Sequence, residues 1–198
     1  MDREIEIKIQ LASQEHSKLL AWLEANAKFR TENRQVDTYY NNPKQPFTFL
    51  KDGYKDAEDY LRIRKSEKGN SICFKHWVKD PEDQTKHLYC DEYETEVDDT
   101  MQMHKILDAL GYKKDIVIDK TRRVYEYQYF EFAIDQVKEL GNFVEIEIKQ
   151  EMDPREGHQK IYKILKQMGI KQIKILQRGY VSMIWNKEHD FAENKSLI

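Results

Sequence analysis

The feature that most constrains the fold of this chain is the alternation of charged and apolar residues in its first segment. Residues 4–9 read Glu-Ile-Glu-Ile-Lys-Ile, so the two kinds of side chain swap at every position. Side chains two residues apart on a β-strand point to the same side of the sheet. This segment therefore predicts a strand with one charged face and one apolar face.

The same alternation recurs along the chain and predicts that strands dominate the fold. Helical spacing occurs between the strand segments, at 15–27, 100–110, 154–168 and about 177–187. This order does not fit the regular strand and helix alternation of a doubly wound parallel sheet. We therefore expect an α+β protein with an antiparallel sheet. The predicted strands cover residues 4–9, 36–40, 60–64, 71–78, 88–97, 116–127, 129–137 and 143–149.

The length and composition indicate one domain, which we place at residues 1–187. Two stretches within it, 41–59 and 79–86, are predicted to be loops, and residues 188–198 a loose polar tail. The 198 residues include 33 Lys and Arg against 36 Asp and Glu, so the chain lacks the basic excess typical of nucleic-acid-binding proteins. No apolar run approaches the roughly 18 residues that cross a bilayer. The start also lacks the apolar core of a signal peptide, so we expect a cytoplasmic protein without membrane contact.

Two cysteines, Cys73 and Cys90, are too few for a disulfide scaffold and lack the spacing of zinc ligands. We expect both to be reduced. A hairpin between them would let the two thiols face each other, which leaves a redox role as the alternative. The six histidines are scattered and form no metal cluster in the sequence.

The charged faces of the predicted strands allow two interpretations. On a single strand, such a face is usually the solvated side of a two-layer sheet. Here acids and bases recur in pairs two residues apart on many strands, and exposed pairs contribute only about 0 to 1 kcal/mol each. A closed or nearly closed barrel with a charged lumen explains the pattern better. We expect these residues to project inward: Glu6, Arg62, Arg64, Lys75, Lys120, Arg122 and Glu145.

The charged segments also carry a family resemblance. The opening Glu4-x-Glu6-x-Lys8 resembles the ExExK motif of the CYTH superfamily, the triphosphate tunnel metalloenzymes. Further matches follow in the family's order over residues 4–149. The resemblance implies an antiparallel barrel with helices packed outside. The matching segments are Asp37-Thr38-Tyr39-Tyr40, Leu61-Arg62-Ile63-Arg64, Lys75, Glu92-x-Glu94, Lys120-x-Arg122, Asp135 and Leu140-Gly141-x-Phe143-Val144-Glu145-Ile146-Glu147.

Within the superfamily, the segment 119–125 and the ending Arg178-Gly179-Tyr180 resemble class IV adenylate cyclases. The segment 37–40 is equally similar to thiamine triphosphatases. A His-Phe pair that precedes ExExK in some members is absent from this sequence, which puts the recognition of a nucleobase in doubt.

The resemblance implies roles for the charged residues. Planar guanidinium groups suit phosphate oxygens, and hard carboxylate oxygens favour Mg²⁺ or Mn²⁺. The implied phosphate-binding residues are Lys8, Arg62, Arg64, Lys75, Lys120 and Arg122. The implied metal ligands are Glu4, Glu6, Glu94, Asp135, Glu145 and Glu147. The implied catalytic residues are Lys75, Tyr39 and Asp135. Tyr39 is either a strand core residue or acts with Lys75 as a pair that positions or deprotonates the nucleophile.

Three functions remain open from the sequence. The first is a class IV adenylate cyclase, a lyase that converts ATP into cyclic AMP and pyrophosphate. The second is a metal-dependent triphosphatase acting on tripolyphosphate, thiamine triphosphate, a nucleotide or an RNA 5′-triphosphate end. The third is a module that binds polyphosphate or nucleotides without turnover. We expect the cyclase, and the resemblance adds a homodimer.

Overall fold

The computed structural model describes residues 3–197, without the side chains of residues 3, 84 and 85. Strands dominate, as the sequence predicts, and their neighbours in the large sheet are antiparallel. The strands are β1 (Arg3–Gln10), β2 (Lys28–Asn41), β3 (Thr48–Lys51), β4 (Tyr54–Ala57), β5 (Asp59–Ser66), β6 (Ser71–Asp80), β7 (Asp83–Glu96), β8 (Lys113–Tyr127), β9 (Phe130–Val137), β10 (Gly141–Ile148), β11 (Gln172–Leu176) and β12 (Ala192–Ser196).

Eight of these strands close into a barrel, which confirms the predicted fold. Their order around the barrel is β1, β10, β9, β8, β2, β5, β6 and β7. Pairing of β1 with β10 on one edge and with β7 on the other completes the ring. The seven charged residues expected to project inward all line the lumen.

The helices cover the apolar outer face of the barrel. Ile5, Ile7 and Ile9 alternate with the charged residues of β1 and pack outward in a core with Leu19 and Leu23. None of the described helices has the length and apolar character needed to cross a membrane. The helices are α1 (Ser13–Asn26), α2 (Thr100–Ala109), α3 (Pro154–Gln167) and α4 (Tyr180–Trp185).

Helix α3 lies close against β1. Asp153 caps its first turn by accepting hydrogen bonds from the backbone amides of Arg155 and Glu156, and Pro154 occupies the position where a missing amide costs least. A Cβ atom at Gly157 would lie only 2.8 Å from Cγ2 of Ile5. A glycine is therefore required for this approach of helix to strand.

The end of the chain differs from the prediction. The expected helix over 177–187 is the short helix α4, preceded by strand β11. The expected polar tail contains β12, which pairs with all five residues of β11. Backbone hydrogen bonds between strands do not require apolar side chains, so the polar composition of 192–196 concealed a strand.

Two predicted loops also contain strands. The stretch 41–59 includes the hairpin of β3 and β4, and β6 and β7 extend into 79–86. The first half of β2 escaped prediction as well. Its polar residues show no apolar alternation, and they form a strand because they pair with β8.

The two cysteines do not face each other. Cys73 stands opposite Glu94 in the register of β6 and β7, whereas Cys90 stands opposite Trp77. This offset of four residues separates the thiols by about 13 Å along the strands. A disulfide between them is therefore excluded, and both are free and buried.

Candidate active site in the barrel lumen

The barrel encloses a charged cavity of about 210 Å³. All six predicted phosphate-binding residues line it, and so do all the predicted metal ligands except Asp135. The lining also includes residues without a predicted role: Tyr60, Trp77, Glu92, Glu131, Lys149 and Tyr180.

One end of the lumen is closed by an apolar cluster. On β8, β9 and β10 the inward positions next to the charged residues hold Ile118, Val137 and Phe143. Helix α4 supplies Tyr180 and Val181 to the same cluster. On each of these three strands, the inward residue next to the charged ones is apolar. The lumen is therefore a chamber with one closed end and not an open tunnel.

Asp37 fixes the orientation of the Arg64 guanidinium group, which forms a two-pronged fork of N–H donors, on the wall made by β2 and β5. Arg64 donates from Nε and Nη2 to the two carboxylate oxygens of Asp37, both at 2.7 Å. Burial opposes ionisation, but Arg64 and Arg62 hold the pKa of Asp37 well below its ordinary value. The sequence did not predict a role for Asp37, although this residue is two positions from Tyr39 and therefore points to the same side of β2.

Asp135 fixes a second fork and is fully buried beneath the lining. It accepts two hydrogen bonds from Arg122, at 2.7 and 2.6 Å, one from Lys120 at 3.0 Å and one from the Tyr180 hydroxyl at 2.9 Å. These four bonds match the roughly four lone-pair sites of a carboxylate. The geometry favours a positioning role for Asp135, and its metal-binding and catalytic roles remain predictions.

Tyr180 links this network to the closed end. The ammonium groups of Lys8 and Lys120 lie 4.2 and 5.3 Å from the centre of its ring. Burial and the nearby Arg122 lower the pKa of Lys120 to about 8. Part of the Lys120 population is therefore neutral just above neutral pH, before any anion enters the chamber.

Glu145 is held by two cations. Lys8 Nζ lies 2.7 Å from one of its oxygens, and Arg122 donates to the other. Burial acts to raise the pKa of Glu145, but Arg122 and Lys8 hold it well below the ordinary value. Like Asp37 and Asp135, Glu145 is ionised and paired with bases.

Three other acids, Glu4, Glu6 and Glu147, lie on the facing parts of β1 and β10 and are only partly neutralised, by Lys75 at 2.7 Å from Glu4 and by Lys149 at 2.6 Å from Glu147. Glu6 stands directly opposite Glu147 in the register of the two strands. Burial, followed by repulsion from Glu4, raises the pKa of Glu147 to about 8. Burial likewise raises the pKa of Glu4 and of Glu6. Among the described side chains, none donates a hydrogen bond to the Glu6 carboxylate.

This second group fits a divalent cation. Like charges directly across a strand pair are destabilising on their own. Carboxylate oxygens are the ligands that hard divalent ions prefer, and a bound cation would offset the repulsion among Glu4, Glu6 and Glu147. Glu4, Glu6 and Glu147 therefore offer suitable oxygen donors, but a metal site at these positions remains a prediction, because the described ligand atoms that converge within 4.8 Å of one another are those of Cys73, Glu92 and Glu94.

The predicted catalytic pair does not meet in the described part of the chain. Lys75 Nζ lies 2.7 Å from Glu4 and also pairs with Glu92, and these acids raise its pKa well above the ordinary value despite burial. Burial raises the pKa of Tyr39, whose ring packs edge-on against Tyr60 at 6.2 Å. Both groups are protonated, so their role in removing a proton remains a prediction.

Glu94 is the most exposed of the predicted ligands. Its side chain is 39% accessible, and it accepts a hydrogen bond from Ser71. The neighbouring Cys73 donates from Sγ to Glu92 at 2.9 Å. Burial raises the pKa of that thiol to about 12, which makes it a poor metal ligand.

Comparison with known proteins adds a family and a fold. The family model of the CYTH domain matches residues 2–180. A curated relative from Methanocaldococcus jannaschii, a candidate adenylate cyclase by name, is 27% identical over 183 residues, which are 90% of this chain and 98% of the relative.

Two solved structures resemble this barrel. A protein from Pyrococcus horikoshii OT3 has a TM-score of 0.71 at 24% identity, with 93% of this chain and 99% of the other covered. A candidate adenylyl cyclase from Hippeastrum, for which a dominant triphosphatase activity is described, has a TM-score of 0.62 at 14% identity, with 92% and 94% covered. At these identities the two structures show a shared fold.

Proposed function

Because this chain belongs to the CYTH domain family, we propose that it converts ATP into cyclic AMP and pyrophosphate with a divalent metal ion. Enzymes of this family are adenylate cyclases or triphosphatases that bind triphosphates and use divalent metals. The cyclase in the name of the archaeal relative supports the first activity. The observation that carries the proposal is the division of one lumen into fixed basic forks and only partly neutralised acids.

The fixed forks suit a triphosphate. A guanidinium group has five N–H donors, and the aspartate partner of each fork engages only two of them. Asp37 therefore orients Arg64, and Asp135 orients Arg122, while donors on both remain available for phosphate oxygens. Lys8, Lys75 and Lys120 add compact charges around the same space.

The facing acids suit the metal. Glu4, Glu6 and Glu147 would hold the ion, which supplies charge neutralisation at phosphoryl oxygens. Mg²⁺ and Mn²⁺ both match these oxygen ligands.

Cyclisation requires that water be kept from the α-phosphorus. The 3′-hydroxyl oxygen forms the new bond to that phosphorus, the bond to the α,β-bridging oxygen breaks, and the hydroxyl proton leaves with the pyrophosphate. The apolar cluster around Phe143 and Tyr180 limits the access of water from the closed end.

A second candidate, hydrolysis of a triphosphate, is favoured by one observation. Tyr39 lines the lumen, although part of its side chain packs against the apolar cluster at the closed end. Its hydroxyl could orient a water molecule at the terminal phosphorus.

The two candidates differ in their products. Purified protein should be incubated with Mg²⁺ or Mn²⁺ and either ATP or tripolyphosphate, with product analysis by phosphorus NMR. We expect cyclic AMP and pyrophosphate in equal amounts from ATP. Orthophosphate from tripolyphosphate, with no cyclic nucleotide under either metal, would reject the cyclase in favour of hydrolysis. Glu6→Gln should abolish turnover, while the matched change Glu24→Gln on the exposed side of α1 should leave it unchanged.

A further inference from the structure

The barrel wall has an opening between β1 and β7. These strands pair only at Arg3 and Glu4, and β1 next pairs on that side with β11 at Ile9 and Gln10. Residues 5–8 have no strand partner on this edge among the described residues. The opposite edge of β1 is paired with β10 over the same stretch.

A second cavity, of about 170 Å³, lies at this opening. Glu6, Lys8, Trp77 and Gly179 line both this side pocket and the lumen. The remainder of the pocket is formed by Ile7, β7, α3, β11, β12 and residues 177–178. The two cavities therefore adjoin at the opening in the barrel wall.

The side pocket has a flat aromatic wall. The rings of Trp77 and His87 are stacked, with 4.8 Å between their centres and 19° between their planes. Burial, followed by the positive charge of Arg178, lowers the pKa of His87 to about 3. The imidazole is therefore neutral at physiological pH and suits an uncharged ring.

A hydrogen-bonding group in the same pocket lacks a partner. Nε2 of His158 is buried, and no other described residue hydrogen bonds to it. Burial lowers the pKa of this side chain as well. A neutral imidazole nitrogen can donate or accept, and a buried one without a partner is costly.

The cations of the side pocket are already engaged, which argues against a phosphate there. Arg178 is buried with Asp56 at 3.0 Å. Lys86 pairs with Asp83 at 3.0 Å, and Lys195 lies 4.6 Å from the centre of the Tyr162 ring. The chemistry of the pocket is that of a neutral, planar ligand with polar edges.

We propose that the side pocket binds the nucleobase of a nucleoside triphosphate whose phosphates occupy the lumen. The base stacks against the Trp77 and His87 pair and hydrogen bonds to Nε2 of His158, which the side chain must turn to expose because that nitrogen is buried. This inference rests on the proposed function and adds the place where the base of the nucleotide is held.

The test compares two ligands that the enzyme cannot cleave. These are analogues of ATP and of tripolyphosphate in which methylene groups replace both bridging oxygens, titrated calorimetrically with Mg²⁺ present. Wild type should bind the nucleotide analogue at least about 10-fold more tightly, the size expected for one stacked base. His87→Leu and His158→Leu should each remove most of this advantage and leave the affinity for the tripolyphosphate analogue unchanged.

His16→Leu is the matched control, because Nε2 of His16 is also buried without a described partner but lies on α1, away from both cavities. Unchanged tripolyphosphate binding also shows that each variant is folded. Equal wild-type affinity for the two analogues, or unchanged nucleotide affinity in both variants, overturns the inference and leaves the proposed function intact. Failure of wild type to bind either analogue overturns both.

Discussion

The lumen holds two groups of carboxylates that respond to burial in opposite ways. Burial acts to raise the pKa of every acid in both groups. In the first group, Asp37, Asp135 and Glu145, arginine and lysine partners reverse that effect. In the second group, Glu4, Glu6 and Glu147, the lysine partners Lys75 and Lys149 do not reverse it, and nearby acids add to it. The partners of each acid, more than its burial, therefore separate carboxylates that position bases from carboxylates that can take up a cation.

The two groups meet within a single strand. Glu145 and Glu147 are both inward residues of β10, two positions apart. The pKa of the first lies well below its ordinary value, and that of the second is about 8. Lys8 stands opposite Glu145, whereas Glu6 stands opposite Glu147. Lys8 and Glu6 are consecutive inward residues of β1. The change from a base to an acid between them therefore reverses the electrostatic environment of the glutamate that each one faces on β10.

The largest expected effect is on stability, from a change in the first group. Asp135→Asn removes the charge that compensates buried Lys120 and Arg122, and such a loss typically costs about 3 kcal/mol or more. Urea unfolding with chelator present measures it. Glu139→Gln, at an exposed pair with Lys187, is the control and should cost less than about 1 kcal/mol. A cost as small for Asp135→Asn would contradict its positioning role.

The second-largest expected effect is on activity, from a change in the second group of carboxylates. Glu6→Gln removes a proposed metal ligand, and we expect turnover to fall by about 100-fold or more. Excess Mg²⁺ should restore part of it. The free energy of unfolding in chelator should stay constant or rise, because a repelled buried charge is gone. Full turnover, or a loss of stability like that of Asp135→Asn, would contradict the assignment of Glu6 to the second group.

A smaller effect tests the geometry of the first group. Arg64→Lys keeps the charge but loses the fork that Asp37 orients, so the dissociation constant for tripolyphosphate should rise about 10-fold. Arg34→Lys is the matched control. Arg34 makes the same two-bonded contact with Asp119, at 2.8 and 2.6 Å, and its side chain is 64% exposed. Equal affinities in the two variants would show that Arg64 does not bind phosphate.

The smallest effect is a pH dependence without metal. The pKa of Glu147 is about 8 in the folded chain, and its ordinary value is 4.5. Between these values the folded state keeps a proton that the unfolded state has released, so stability falls as pH rises through this range. For one proton the slope cannot exceed about 1.4 kcal/mol per pH unit, and solvent screening of this partly exposed group narrows the pH range over which the slope acts. Wild type in chelator should show this slope and Glu147→Gln should lack it. Identical slopes would contradict the raised pKa.

The sequence predicts the inward charges well because strand parity is a local property. Glu6, Arg64 and Glu145 needed only their own alternation to be assigned to the lumen. The four hydrogen bonds that the Asp135 carboxylate accepts were not predictable in this way. One of its partners, Tyr180, lies 45 residues away and arrives on a helix whose six residues are too few for a clear periodicity. The side pocket likewise depends on where β1 leaves β7, which no single segment encodes.

The sequence contains a sign of the closed end, but the alternation of side chains along a strand is not enough to interpret it. Ile118 and Phe143 continue the inward positions of their strands, so the sequence places them in the barrel. Whether such residues block the lumen or line its wall depends on what covers them. Here that cover is α4, which the hairpin of β3 and β4 helps to hold. The side chain of Asn186 hydrogen bonds to both the amide and the carbonyl of Lys55.

The close contact of α3 with β1 links the outside of the protein to the reaction inside it. Ile5, which Gly157 touches, lies between Glu4 and Glu6 on the same strand. A larger residue at 157 must push either the helix outward or the strand, with its two carboxylates, into the chamber. The position of two carboxylates in the chamber therefore depends on the residue at position 157, which no reactant in the chamber can reach.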